Sequence, residues 1–191
     1  MSKYNKGNND EYLLQNNLLG VDKQDDLTQA EALSFFVRNA EIEKGIYTIK
    51  GFSKRDFMAI HHHLFQDIYP FAGKFRDVNL SKGATVFCQF QFLDACADSL
   101  FKELKIEGNW KTVEIAAKRL AYFKAELNML HPFREGNGRT IRIFLAAYVK
   151  EKGYMWRYEN MDTQVYLEAM IKSKQDESDL EKLLLTVLEP L

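Results

Sequence analysis

Several protein classes are excluded by what this chain lacks. It has two cysteines, Cys88 and Cys96, too few for a disulfide framework and without the CxxC spacing of a zinc site. They read as free thiols in a reducing compartment. No run approaches the ~18–20 apolar residues of a membrane span. The opening MSKYNKGNNDEY is polar and has no apolar signal segment, so a cytoplasmic chain with no membrane contact is expected. An excess of one charge is also missing. Lys and Arg number 26 against 27 Asp and Glu, for a net charge of −1 and no basic block. Direct binding to nucleic acid is therefore not expected. Proline occurs only three times in 191 residues, which leaves long stretches uninterrupted.

Those stretches carry helical periodicity. A helix is expected over Leu27–Lys44, capped by Thr28 with Glu31 as its capping-box partner, with Leu33, Phe36, Val37 and Ala40 on its apolar face. Ser53 caps a second helix running to Tyr69, where Pro70 stops it. Residues 71–93 change texture, with two glycines and the alternation TVFCQFQF, and read as a β-hairpin or flap. Helices resume at Asp94–Glu103, Lys111–Leu130, Asn137–Lys152, Gln164–Ser173 and Ser178–Leu188. Phe35, Phe36, Phe57, Phe65, Tyr69, Phe71, Tyr122, Phe123 and Phe144 fall on helical stripes and are expected in the core. His61, His62 and His63 are consecutive on a helix, point about 100° apart and cannot share one metal ion. Trp156 and Tyr158 are expected to pack.

One segment concentrates the chemistry: His131 to Arg142, HPFREGNGRTIR. Proline after His131 sets that histidine at a helix end. Gly136 and Gly138 permit positive φ and close backbone approach. The chain then enters a helix whose first turn holds Gly138, Arg139 and Thr140, and whose unpaired N–H groups and dipole favour an anion. Arg139 and Arg142 lie on neighbouring faces of one turn and both reach polyphosphate oxygens. Glu135 is a hard oxygen ligand suited to Mg²⁺. His131 can take a proton from an attacking hydroxyl.

The segment matches the motif HPFx(D/E)GNGRxxR at every specified position and is identified by it as resembling the Fic domain family. LFQDIYPFAGKFRDVNLSKG resembles the segment that forms the Fic flap, and MDTQVYLEAMIKS a downstream helix. NNDEYLLQNNLLG resembles the start of the compact bacterial Fic toxins. The resemblance spans roughly residues 50–175. It implies a mainly α fold, a helical bundle with a central helix–loop–helix and a short β-hairpin flap. Residues 51–175 would form the Fic domain, 1–50 an N-terminal arm and helical extension, and 176–191 a C-terminal helix of the same unit.

The resemblance also implies roles. His131 would be the general base and Glu135 the Mg²⁺ ligand. Gly136, Asn137, Gly138 and Arg139, with Thr140 in the same turn, would hold the α- and β-phosphates of ATP, and Arg142 the γ-phosphate. Phe133 would anchor the loop in the core. Asn128 and Lys82 would border the nucleotide, Leu167 would lie beside its base, and Thr85, Val86 and Phe87 would offer an edge to an extended target segment. The implied reaction transfers AMP from ATP to a Ser, Thr or Tyr hydroxyl of a target protein. Phosphotransferase relatives carry Lys where Gly138 stands here, which favours adenylylation.

Many Fic proteins carry an inhibitory helix with the pattern (S/T)xxxE(G/N). Ser173–Glu177 is followed by Ser178, and Thr186–Glu189 is one residue short, so the pattern has no full match. The resemblance then implies a separate small antitoxin that supplies a Glu to Arg142 and docks near the N-terminal helices. Related toxins suggest DNA gyrase or topoisomerase IV subunits as targets. A catalytically silent peptide-binding module and the reverse, AMP-removing reaction are the alternatives.

Overall fold

The computed structural model describes residues 9–191. Residues 1–8 of the expected polar arm lie outside the described residues, and the remainder of it opens a short helix, α1 (Asn9–Gln15). Seven further helices follow: α2 (Gln24–Glu43), α3 (Lys54–Phe65), α4 (Leu93–Ile106), α5 (Val113–Leu130), α6 (Asn137–Glu151), α7 (Thr163–Lys172) and α8 (Ser178–Leu185). Two short antiparallel strand pairs are also present. β1 (Ser81–Lys82) pairs with β2 (Thr85–Val86), and β3 (Tyr154–Trp156) pairs with β4 (Leu188–Pro190). The fold is mainly α, as the sequence indicates. Among the described residues no helix is long and apolar enough to cross a membrane.

Local chemistry starts α3 and α5. Ser53 accepts from Asp56 N while the Asp56 carboxylate accepts from Ser53 N at 2.9 Å, a complete capping box. Thr112 Oγ1 accepts from Ile115 N and starts α5. Helix α5 is the centre of the bundle and packs on α4, α6 and α8, while α6 packs on α3 and β3. One continuous core reaches from Leu13 and Leu27 to Leu184 and Leu188. Phe57, Phe123, Phe133 and Phe144 are fully buried at its middle. Phe57 and Phe144 meet edge-on at 5.1 Å, a favoured ring geometry.

Two expectations for α2 are corrected. Helix α2 begins before Thr28, whose hydroxyl donates to Gln24 O at 2.8 Å instead of capping. Its expected apolar face is turned outwards: Leu33, Phe36 and Val37 are 65%, 70% and 47% exposed. The helix buries Leu27 and Glu31 instead, with Phe35 partly buried behind them. The physical reason is a cation beneath it, Arg139, to which Glu31 supplies a carboxylate.

The flap pairs only four residues, Ser81 with Val86 and Lys82 with Thr85, around Gly83 at φ 57°. The chain beyond it turns into a 3₁₀ segment, Phe90–Phe92. Arg76 accounts for the short ladder. Its buried guanidinium donates to the carbonyls of Val78, Cys88 and His131, so a side chain occupies acceptors that a longer hairpin would use. At the C-terminus α8 stops at Leu185, and Leu188–Pro190 forms a strand where a helix to Leu188 was expected. Pro190 lacks an N–H and sits at the strand end, where none is required.

Candidate active site

Helix α5 ends on His131, at φ 43° and ψ 56°. It is the one non-glycine residue with positive φ among the described residues. Its N–H still bonds Leu127 O at 3.1 Å, and Pro132 then prevents the helix from continuing. The imidazole Nδ1 lies 3.2 Å from Asn128 O. A proton on Nδ1, donated to that carbonyl, puts the ring's lone pair on Nε2. The ring stacks on Phe87 of the flap at 3.8 Å and 10°. The carbonyl of His131 accepts from Arg76 Nε at 2.8 Å. Helix, flap and Arg76 thus fix the histidine from three sides.

The loop after it is closed from within. Asn137 Oδ1 accepts from Phe133 N at 2.8 Å and its Nδ2 donates to Phe133 O at 2.7 Å. Phe133 lies in the core, stacked on the His61 ring at 3.7 Å, as the sequence indicates for a loop anchor. His61 also bonds the loop directly. Its Nε2 donates to Glu135 O at 2.9 Å while Nδ1 accepts from Gly73 N at 2.8 Å. Burial pushes the His61 pKa down to about 3, so the ring is neutral and its single N–H is committed to the loop. His62 is exposed and His63 is buried against Tyr47, so the three histidines diverge.

Glu135 is buried, and its Oε1 accepts from Gly136 N at 2.8 Å and Arg139 Nη2 at 3.3 Å. Gly136 holds φ 78°, and a Cβ there would sit 2.3 Å from the Phe65 ring. Only glycine fits. Gly138 does not use the positive φ that glycine permits: it lies inside α6, and a Cβ there would meet nothing within 4 Å. Its bareness opens space instead of a turn. Arg139 rests over Phe65 at 4.7 Å and donates to Glu31 at 2.7 Å. Arg142 rests over Tyr158 at 5.1 Å, and its buried Nε has no hydrogen-bond partner among the described residues.

His131, Glu135 to Arg139 and Arg142 line one cavity of about 750 Å³. Its phosphate-suited end is Glu135 to Arg139 with Arg142. Its rim carries Lys82, Thr85 and Phe87 from the flap, with Asn128 and His131 from α5. Its far wall is aromatic and apolar, with Trp156, Tyr158, Tyr166 and Leu167 around Lys124. The Fic/DOC family model matches residues 51–149, more than half of the chain and the whole of this loop.

The chain belongs to the Fic/DOC family.

Within that family it is 35% identical over 188 residues to the protein adenylyltransferase VbhT of Bartonella schoenbuchensis, covering 94% of this chain and 39% of VbhT. It is 38% identical over 120 residues to the probable protein adenylyltransferase y4lH of Sinorhizobium fredii, covering 61% of this chain and 62% of that protein. The probable protein adenylyltransferase Fic of Escherichia coli is 32% identical over 158 residues, covering 82% of this chain and 78% of that protein. The chain therefore spans less than two thirds of VbhT and y4lH. Among solved structures, the BepC protein of Bartonella tribocorum with bound AMPPNP superposes with a TM-score of 0.80 at 18% identity, covering 92% of both chains. An N-terminal Fic domain from Bartonella quintana with bound ADP gives 0.80 at 19%, covering 91% of this chain and 90% of that one. These likenesses show the Fic fold.

Three of the site residues expected for this Fic/DOC chain lie away from the cavity or spend their side chains elsewhere. Thr140 is fully buried and its hydroxyl donates to Gly136 O at 3.0 Å. Asn137 keeps its side chain inside the loop. Val86 is exposed and does not line the cavity, unlike Thr85 and Phe87. Leu167 and Asn128 do line it. So do Trp156 and Tyr158, for which packing was expected.

Glu31 went unrecognised because its spacing from Thr28 suggested a cap. It accepts from the Tyr69 hydroxyl and from Arg139, so α2 reaches the phosphate-suited end through one carboxylate. The signal was a lone acid one turn after Leu27 on the buried face. Glu31→Gln turns an amide N–H₂ towards Arg139 or withdraws the acceptor from Tyr69. A stability loss of about 1–3 kcal/mol is expected, read from the urea midpoint. An unchanged midpoint would show that the bridge does not hold α2.

Proposed function

We propose that this chain is a protein adenylyltransferase that moves AMP from ATP to a Ser, Thr or Tyr hydroxyl of a target protein. The observation that carries this reading is the tether of His131 Nδ1 to Asn128 O at the rim of a cavity whose floor is Glu135, the start of α6 and two arginines. The names of the relatives, protein adenylyltransferases, support it. Residues 51–175 form the catalytic domain in this reading, with 1–50 and 176–191 as extensions of it.

The triphosphate lies over the α6 terminus. Arg139 and the Gly136–Gly138 amides hold the α- and β-phosphates, and Arg142 holds the γ-phosphate. The target segment runs along the flap beside Lys82, Thr85 and Phe87, so its hydroxyl faces His131. Nε2 takes the hydroxyl proton as the oxygen attacks the α-phosphorus. The bond to the β-phosphate bridging oxygen breaks and pyrophosphate leaves. The protein's share is orientation and fixed positive charge at the oxygens that gain charge. The donor set fits Mg²⁺: one hard carboxylate, Glu135, buried beside a phosphate-suited helix terminus. When bound, that ion offsets phosphate charge. Incubation of the protein with ATP, Mg²⁺ and candidate targets, followed by mass spectrometry, is expected to show one added AMP. An added phosphate, or no modification of any target, would overturn the reading. The ATPase subunits of DNA gyrase and topoisomerase IV are the first targets to assay.

A small separate antitoxin is the second part of the proposal, and the setting for both parts is a cytoplasm. Leu33, Phe36 and Val37 give α2 an apolar face suited to an amphipathic helix. The unpartnered Arg142 Nε suits an incoming glutamate. Co-purification of a short protein carrying (S/T)xxxE(G/N) is expected from the native host. Recovery of the chain alone in fully active form would count against the partner.

A further inference from the structure

Glu31 supports the phosphate-suited end without lining it. It lies on α2, outside residues 51–149 of the family match, and is not among the residues that line the cavity. Both of its carboxylate oxygens are engaged. Oε1 accepts from the Tyr69 hydroxyl, and Oε2 accepts from Arg139 Nη2 at 2.7 Å. Tyr69 is fully buried, and burial together with the adjoining carboxylate pushes its pKa up, so the hydroxyl stays a donor. The carboxylate is thus braced before it meets the arginine. Arg139 Nη2 also meets Glu135, at the longer distance of 3.3 Å, and the guanidinium lies over Phe65 at 4.7 Å and Phe35 at 5.7 Å. Arg139 Nε and Nη1 bond none of the described residues, and the side chain lines the cavity. Glu31 therefore takes one nitrogen of Arg139 and leaves two for a ligand.

We propose that Glu31 is a positioning residue: braced by Tyr69, it holds the Arg139 guanidinium in one orientation for the phosphates of the nucleotide. The inference rests on the nucleotide-transfer reading above and extends its machinery to α2. A free arginine side chain loses rotamer freedom when it grips a phosphate, and one that is already ordered loses less. Orientation matters because guanidinium presents its donors in one plane, and only part of that plane can meet phosphate oxygens at a time. The opposite role, a carboxylate that contests the phosphates for Arg139, calls for an acid on the cavity wall. Glu31 has no place on that wall.

The test is calorimetric titration of the whole chain with ADP in Mg²⁺, with adenosine binding followed in parallel by ligand-observed NMR. Both are run at a temperature where a thermal melt shows each variant folded. Glu31→Gln keeps the size of the side chain and removes its charge. Its ADP affinity is expected to fall roughly tenfold while adenosine, which has no phosphate, binds as it does to the parent. Tyr69→Phe removes only the brace and is the milder variant. It is expected to show the same pattern with a smaller loss, about two- to fivefold. Unchanged ADP affinity in Glu31→Gln would overturn the proposal, and tighter binding would make Glu31 a competitor of the phosphates and overturn it too. So would equal losses for ADP and adenosine, which would mark Glu31 as a support of the fold alone. Each of these results leaves the transfer reading standing. A parent chain that binds no ADP would instead defeat that reading and this inference with it.

Discussion

His131→Ala is expected to lower AMP transfer about 10²–10⁴-fold, the range lost with a positioned proton acceptor. Nucleotide affinity should change little, because the groups placed to hold phosphate are Arg139, Arg142 and the α6 terminus, none of which uses the His131 ring. The loss belongs in the rate and not in the dissociation constant. His131 holds φ 43°, so alanine adds its own conformational cost. His131→Asn keeps a residue that tolerates the left-handed region and separates backbone strain from lost chemistry. Labelling of a target with α-labelled ATP, alongside calorimetric binding, checks both variants. Transfer by His131→Asn at the parental rate would remove His131 from the reaction.

Gly136→Ala is expected to damage the fold itself. The residue combines φ 78° with a Cβ position 2.3 Å from Phe65 Cε2 and 2.4 Å from Cζ. Phe65 is fully buried and lies under Arg139, so it has no direction in which to yield without disturbing the site. Left-handed strain and overpacking together come to about 2–6 kcal/mol, a large share of a typical domain's stability. Chemical denaturation measures the loss. The double variant Gly136→Ala with Phe65→Leu removes part of the clash and should be more stable than the sum of the two single losses. Strict additivity would show that Phe65 is not the obstacle. Gly138→Ala is the contrast, since its Cβ meets nothing in the protein and its effect should appear in nucleotide binding alone.

The two glycines show how far the sequence could be read. Both were read as permitting positive φ. Only the structure separates them, because φ at Gly138 follows from where α6 begins, and that start is fixed by Asn137 bonding across the loop to Phe133. The same holds for α2. Leu33, Phe36 and Val37 satisfy a helical stripe as well as Leu27, Glu31 and Phe35 do, and periodicity cannot choose between two faces of one helix. The choice came from Arg139, 108 positions away, which needs a carboxylate that Glu31 supplies. Lys124 was hidden for a related reason. A lysine in a helix reads as solvated until Trp156 and Tyr166, from other elements, close over it.

The sequence by itself determined the helical class, the capped start at Ser53, the break at His131-Pro132 and the chemistry of the HPFREGNGRTIR loop. All of these depend on residues within a turn or two of each other, where backbone sterics and hydrogen bonding act directly. The tertiary structure alone decided which face of α2 turns inwards, how Arg76 ties the flap to His131, that Leu188–Pro190 pairs with Tyr154–Trp156, and that a buried lysine faces the cavity. Each of those is a contact between residues tens of positions apart, and its energy exists only once the core has brought them together.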